Sequence, residues 1–150
     1  MEIGRLRTFL RRHRRIALDT SVFIYQFEAD ARYIGLTEPI FEWLERPQSK
    51  AVTSTITMTE MLVQPYRQAD EQRVDEFYAR LSTYPHLDWI APNLQIADLT
   101  ARFRGEHRLR TPDAIVAATA VHAHASGLIT NDSIFERVPG FETLVLESLL

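Results

Sequence analysis

Residues 111–132 read TPDAIVAATAVHAHASGLITND. Thr111-Pro112 offers an N-cap followed by proline at the first helical position, where the missing N–H would have no partner anyway. The alanine-rich run from Ala114 to Ala125 carries a helix as far as Ser126-Gly127, which is a good C-terminal stop. Leu128-Ile129-Thr130 is then a short apolar segment bounded by Gly127 and Asn131-Asp132, and reads as a strand. A helix feeding directly into a strand is half of a βα unit.

Working outward, the same alternation recurs. β-rich runs bounded by turn chemistry occur at Ile16 to Leu18, Ala51 to Ile56, Leu87 to Ile90 and Thr143 to Leu146, with helical periodicity between them. Val22, Phe23, Ile24 and Phe27 mark one apolar helical face, and Ile40, Phe41 and Leu44 a second. Met58, Met61, Leu62 and Tyr66 mark a third, Val74, Phe77, Tyr78 and Leu81 a fourth, and Leu94 to His107 reads as a fifth helix. Strands alternating with helices predict an α/β fold whose parallel sheet is covered on both faces, with right-handed crossovers. No repeat or linker divides the chain, so residues 16–150 form one domain behind an arginine-rich extension, residues 1–15.

With 150 residues, 45% of them hydrophobic, a single core is expected. The chain has no cysteine, which excludes disulfides, thiolate zinc sites and cysteine nucleophiles, and is compatible with a reducing cytoplasm. No apolar run approaches the roughly 20 residues of a membrane span, and no signal peptide is recognisable, so a cytoplasmic protein with no membrane association is expected. The net charge of −3 conceals an asymmetry. Six arginines against Glu2 give residues 1–15 a charge of +5, and the remaining 135 residues carry 11 basic and 19 acidic groups. A nucleic-acid ligand would therefore be held by metal and local arginines, not by a broad basic field.

In a parallel sheet every strand ends at the same rim, and the helices that run back begin there; ligands bind at that rim. Asp19 follows the first strand, Glu60 lies in the first turn after the second, Asp113 opens the alanine-rich helix, and Asp132 follows the strand after it. Each has an ordinary reading. Asp19 and Asp132 suit N-caps, Thr57-x-x-Glu60 matches a capping box, and Asp113 complements a helix dipole. Jointly they say more, because four acids crowd one rim in a chain whose only lysine is Lys50. Crowded, unpaired carboxylates call for a cation. An all-oxygen set suits Mg²⁺ or Mn²⁺, and such an ion leads to phosphodiester hydrolysis by a metal-activated water.

Leu18-Asp19-Thr20-Ser21-Val22-Phe23-Ile24 resembles the opening strand-to-helix motif of PIN domains, and Thr59-Glu60-Met61-Leu62 resembles their second acidic motif. Thr111-Pro112-Asp113-Ala114-Ile115-Val116-Ala117-Ala118-Thr119-Ala120 is similar to the third and Thr130-Asn131-Asp132-Ser133-Ile134-Phe135 to the fourth. The ordered set covers about residues 16 to 146 and looks most like the VapC-type toxin ribonucleases. The resemblance implies a three-layer α/β/α sandwich with a central parallel β-sheet. It also implies Mg²⁺- or Mn²⁺-dependent endoribonuclease activity on RNA, homodimerisation, and a VapB-type antitoxin partner. It gives Asp19, Glu60, Asp113 and Asp132 the metal-binding and catalytic roles, with Thr20 or Ser21 and Thr130 orienting them. Many relatives carry a further acid where this chain has Ile134, and most begin near the first strand, without a counterpart of residues 1–15.

Arg110 is a candidate substrate-phosphate contact, or else a surface arginine paired with a nearby acid. The leader is either an RNA-contacting arm or an amphipathic helix packing Leu6, Phe9 and Leu10 with its arginines in solvent. Phe23, Tyr25, Phe27, Tyr33, Phe41 and Trp43 exceed one inward face, so some are expected to meet a partner. A dehalogenase-like phosphatase needs a second aspartate where Ser21 stands, and no glycine-rich phosphate loop occurs. The competing function is a PIN-like RNA- or protein-binding module that does not cut.

Overall fold

The computed structural model describes residues 1–150, along which five short strands alternate with α-helices. A helix α1 (Ile3–Arg12) leads into β1 (Ile16–Leu18), α2 (Thr20–Phe27), α3 (Ile34–Leu44), β2 (Ala51–Ser54), α4 (Thr55–Arg67) and α5 (Glu71–Ser82). The chain continues through β3 (Leu87–Ile90), α6 (Leu94–His107), α7 (Thr111–His122), β4 (Gly127–Thr130), a 3₁₀ turn (Ser133–Arg137), β5 (Glu142–Val145) and a second 3₁₀ turn (Leu146–Leu149). The strands form one sheet in the order β3-β2-β1-β4-β5, every neighbouring pair parallel. Ile16 pairs with both Ala51 and Gly127, which fixes β1 as the centre.

Alternation along each strand sorts side chains between two cores. Ile16, Leu18, Ala51 and Ile129 face the layer containing α1 to α5, and Ala17, Val52 and Leu128 face α6 and α7. The three-layer sandwich follows. The central strands β1, β2 and β4 are buried at every position, whereas edge strands β3 and β5 expose Asp88 and Glu142.

The expected elements form with shifted ends, and two shifts matter. The second strand stops at Ser54, whose Oγ accepts from the Ile56 N–H at 3.2 Å and caps α4. The expected strand residues Thr55 and Ile56 are therefore helical, Thr57 is not a cap, and Glu60 lies in the second turn of α4 rather than the first. At α7 the N-cap is Arg110, with Thr111 and Pro112 already inside the helix.

The leader forms α1, an amphipathic helix that buries Leu6, Phe9 and Leu10 in the larger core. Gly127 permits this docking: a Cβ there would lie 2.8 Å from Phe9 Cζ and 3.0 Å from His13 Cγ. His13 Nε2 lies 3.0 Å from Glu142 Oε2 and Nδ1 lies 2.8 Å from Ser126 Oγ. All six aromatics singled out in α2 and α3 join the larger core. Phe23, Phe41 and Trp43 are buried, and Tyr25, Phe27 and Tyr33 pack half-buried against the same core, because α1 flanks the α2–α3 pair on one side and α4–α5 on the other. Besides Met1, Leu94 and Leu150, the exposed large apolar side chains are Val63, Tyr66 and Tyr78 on α4 and α5, where they line an open cleft of about 820 Å³ with Met58, Leu62 and Trp89.

Candidate functional site

Because β2 and β3 lie on one side of β1 and β4 lies on the other, the chain reverses its winding direction between β1 and β4. Connections leaving these two strands diverge, which opens a crevice at their C-terminal ends. Asp19 and Asp132 flank that crevice. Asp19 keeps its N–H in the ladder, donating to the Ile129 carbonyl at 3.0 Å, and turns its side chain to the start of α2. Its Oδ1 accepts from the Thr20 N–H at 2.8 Å and its Oδ2 from the Thr130 hydroxyl at 2.7 Å, so both oxygens are fixed. Thr130 Oγ1 also accepts from the Asp132 N–H at 3.0 Å. One buried hydroxyl thereby orients the ends of two strands.

Glu60 arrives from α4. Its Oε1 accepts from the Thr20 hydroxyl at 3.1 Å. Behind that contact, Thr20 Oγ1 is 3.1 Å from Thr57 Oγ1, which is 2.9 Å from Thr53 Oγ1, and Thr53 donates to the Leu18 carbonyl at 3.0 Å. This buried threonine chain ties α4 to the end of β1. Asp113 enters from the first turn of α7 and is half-buried. Its Oδ2 is buried without a hydrogen-bond partner, and the nearest charge, Arg110 Nε, stands 3.7 Å away, beyond hydrogen-bond range. The exposed Asp132 caps the 3₁₀ turn, accepting from the Ile134 N–H at 3.0 Å.

Four acids that span more than a hundred residues of sequence thus line one cleft of about 280 Å³, together with Ser21, Tyr25 and Asn131. Burial, above all, pushes the Asp19 carboxyl from 3.8 up to about 6. The hydrogen bonds from Thr130 and Thr20 pull the other way, and the charges of Asp113 and Glu60 push further. Glu60 and Asp113 are raised too, first by burial, then by the charge of Asp113 on Glu60 and of Asp132 on Asp113, with Arg110 opposing both. The carboxylates act on one another as an electrostatic unit.

No three of these acids close on a single point as a ready-made ion cage. What fits a cation is the donor chemistry: oxygens alone, mutually repelling, and one of them, Asp113 Oδ2, buried without a hydrogen bond and countered only by the exposed Arg110 at 3.7 Å. Of the supporting residues expected from sequence, Thr20 and Thr130 touch the carboxylates directly. Ser21 does not; its Oγ accepts from the Asn131 N–H at 3.2 Å. Arg110 is exposed at the mouth of the cleft, within reach of a ligand. Thr53, Thr57 and Asn131 were not anticipated. Asn131 donates to the Tyr25 hydroxyl at 2.9 Å and accepts from the Glu147 N–H at 2.8 Å, so it braces the loop carrying Asp132. Its position inside Thr130-Asn131-Asp132 was the available signal. For Thr53 and Thr57 the signal was a run of threonines in an otherwise buried segment.

A central parallel sheet in this order, with acids gathered at its winding reversal, is the architecture of the PIN domain, and the PIN domain family model matches residues 16–141; the chain belongs to that family. The fold also matches solved structures. A toxin-antitoxin complex from Klebsiella pneumoniae has a chain 26% identical at a TM-score of 0.64, covering 87% of this chain and 97% of its own. VapBC-1 from nontypeable Haemophilus influenzae has one 19% identical at 0.68, covering 89% and 98%. VapBC2 from Rickettsia felis, bound to a DNA fragment from its promoter, has one 19% identical at 0.66, covering 87% and 98%. No curated protein matches the sequence. No helix is long and apolar enough to cross a membrane.

Proposed function

We propose that this PIN-domain protein is a divalent-metal-dependent endoribonuclease and the toxin half of a toxin-antitoxin pair. The observation that carries the catalytic part is the convergence of Asp19, Glu60, Asp113 and Asp132 on one cleft, with Asp113 Oδ2 buried and without a hydrogen-bond partner. These four would hold Mg²⁺ or Mn²⁺. When bound, such an ion supplies positive charge at the scissile phosphate and makes a water available as hydroxide near neutral pH. The protein's own groups do the rest. Thr130 and Thr20 fix both oxygens of Asp19, the threonine chain anchors Glu60, and Arg110 at the mouth is placed to meet a neighbouring phosphate. The cleft has no nucleophilic cysteine and needs none, since water is the attacking group.

The toxin assignment is supported by the neighbours, which are toxin-antitoxin complexes matched over nearly their whole chains. They support an antitoxin as the partner, and we propose a second copy of this chain as another. The exposed apolar cleft between α4 and α5 is surface that a partner segment would cover. The test is cleavage of a mixed RNA pool by purified protein with Mg²⁺ or Mn²⁺, with EDTA, and with Asp19→Asn. Activity is expected only in the first condition. Metal-dependent cleavage that survives Asp19→Asn would move the chemistry elsewhere, and a folded protein that binds RNA without cutting it would be the non-catalytic module.

A further inference from the structure

Helix α1 is an addition to the shared fold. The PIN match begins at Ile16, and the neighbours are matched over 97% to 98% of their own length by only 87% to 89% of this chain. Its apolar side is fully used, with Leu6, Phe9 and Leu10 buried in the core. Its arginines divide into two groups. Toward β5 and the C-terminus they are engaged: Arg5 pairs with Glu2 and donates to the Ser148 carbonyl at 3.4 Å, and Arg12 pairs with Glu142; just past the helix, Arg15 Nη1 donates to the Ala123 carbonyl at 2.6 Å. Toward α3 they form no ion pair, and Arg11 only donates to the Thr8 hydroxyl of its own helix at 3.4 Å. Arg7 and Arg11, with Arg46 from just beyond α3, line a groove of about 280 Å³ that also includes Pro39, Glu42 and Trp43. Glu42 is the groove's one acid and forms an ion pair with none of the three.

Three guanidinium groups in one concavity with a single carboxylate, Glu42, leave an excess of positive charge that favours an anion between them. The position of the groove suits a long anion. The Glu2 N–H donates to the Leu149 carbonyl beyond the end of β5, and Arg12 reaches Glu142 at its start, so α1 runs from the rim that carries the carboxylates back toward the opposite edge. Arg11 and Arg46 sit toward that far edge, where α3 turns into β2. The rest of the chain has 19 acidic groups against 11 basic, a balance that repels RNA, and a basic groove on this side of the molecule offsets that repulsion for a strand long enough to reach it from the carboxylate cleft.

We propose that the α1–α3 groove is a second, non-catalytic site that grips the sugar-phosphate backbone of the RNA substrate through Arg7, Arg11 and Arg46. This rests on the ribonuclease reading. The site is blind to sequence, because guanidinium groups bind phosphate bidentately and Trp43, only 8% exposed, offers little face for base stacking. A lipid surface is disfavoured because the apolar side of α1 is buried in the protein and has nothing to insert.

The test uses the full chain in EDTA, so that binding is read without cleavage, and follows the affinity of a labelled single-stranded RNA by fluorescence anisotropy across a salt series. The combined variant Arg7→Gln, Arg11→Gln, Arg46→Gln should bind roughly ten- to thirtyfold more weakly at low salt. The slope of log affinity against log salt should shrink by about 2, at about 0.7 per lost phosphate contact. The three corresponding lysine substitutions should recover much of the affinity, and Arg102→Gln with Arg137→Gln, exposed elsewhere, should leave it within about twofold. Unchanged affinity in the triple glutamine variant, an equal loss in the Arg102, Arg137 control, or arginine-dependent binding of anionic vesicles in place of RNA overturns the proposal. Failure of the two readings is separable. Arginine-dependent binding by a protein that cuts nothing with Mg²⁺ or Mn²⁺ leaves the groove and removes the nuclease, and cleavage with arginine-independent binding does the reverse.

Discussion

Replacing Asp19 with asparagine should abolish activity and, in metal-free protein, raise stability. Burial, with the neighbouring acids, holds the Asp19 carboxyl at about 6 instead of 3.8. The folded state therefore binds this proton more tightly than the unfolded chain does, and ionising the group opposes folding. For an acid raised on folding, the penalty is absent below 3.8, grows as pH rises toward about 6, and is complete above it. Each pKa unit corresponds to about 1.4 kcal/mol, so the upper bound at neutral pH is roughly 3 kcal/mol. Asparagine removes the charge but weakens the acceptor facing Thr130 or Thr20, a loss of about 1 kcal/mol. A net gain of about 1 to 2 kcal/mol remains, or roughly 3 to 6 °C in Tm for a domain of this size. Urea unfolding of both proteins in EDTA between about pH 5 and about pH 7.5 reads the effect, because groups remote from the cleft cancel in the difference and Glu60 and Asp113, relieved of the Asp19 charge, shift it in the same direction. The variant's advantage should widen with pH. Saturating Mg²⁺ should then reverse the order, stabilising only the native sequence by about 2.7 kcal/mol at a hundredfold excess over Kd. A variant whose stability relative to the native protein is flat or falls with pH would refute the claim that this carboxylate is held at a cost.

Thr130→Val keeps the shape of the side chain but removes the donor to Asp19 Oδ2 and the acceptor for the Asp132 N–H. Metal affinity should drop about tenfold to a hundredfold. Since the lost hydrogen bond lowers the Asp19 pKa, the acid limb of the activity profile should move to higher pH, as pH–rate measurements would show. Gly127→Ala would place a methyl 2.8 Å from Phe9 Cζ and should destabilise by about 1 to 3 kcal/mol in urea unfolding while leaving metal affinity intact, because it disturbs α1 docking at the far edge from the cleft.

Much of the fold was legible locally. Pro112 in the first turn of α7 and Gly127 after it punctuate segments whose periodicity had already declared them helical or extended. Errors arose where local signals compete. Thr55 and Ile56 are β-branched and continue a strand pattern, yet Ser54 caps a helix there, and tertiary packing of α4 decides the matter. The aromatics of α2 and α3 looked too many for one face because periodicity shows that α1 and α4–α5 are amphipathic but not that they enclose this pair on two sides. Tyr66 and Tyr78 looked inward by spacing and point outward.

Sequence alone determined that strands and helices alternate, and hence that Asp19, Glu60, Asp113 and Asp132 belong to one rim, because a parallel sheet sends every strand end the same way. It did not determine the strand order β3-β2-β1-β4-β5, which places the winding reversal between β1 and β4 and so sets Asp19 beside Asp132. Periodicity is a property of neighbouring residues and is written locally. Which strand lies against which is settled by long-range burial and hydrogen bonding, and so are the threonine chain behind Glu60 and the unpartnered oxygen of Asp113, which exist only once the layers have closed.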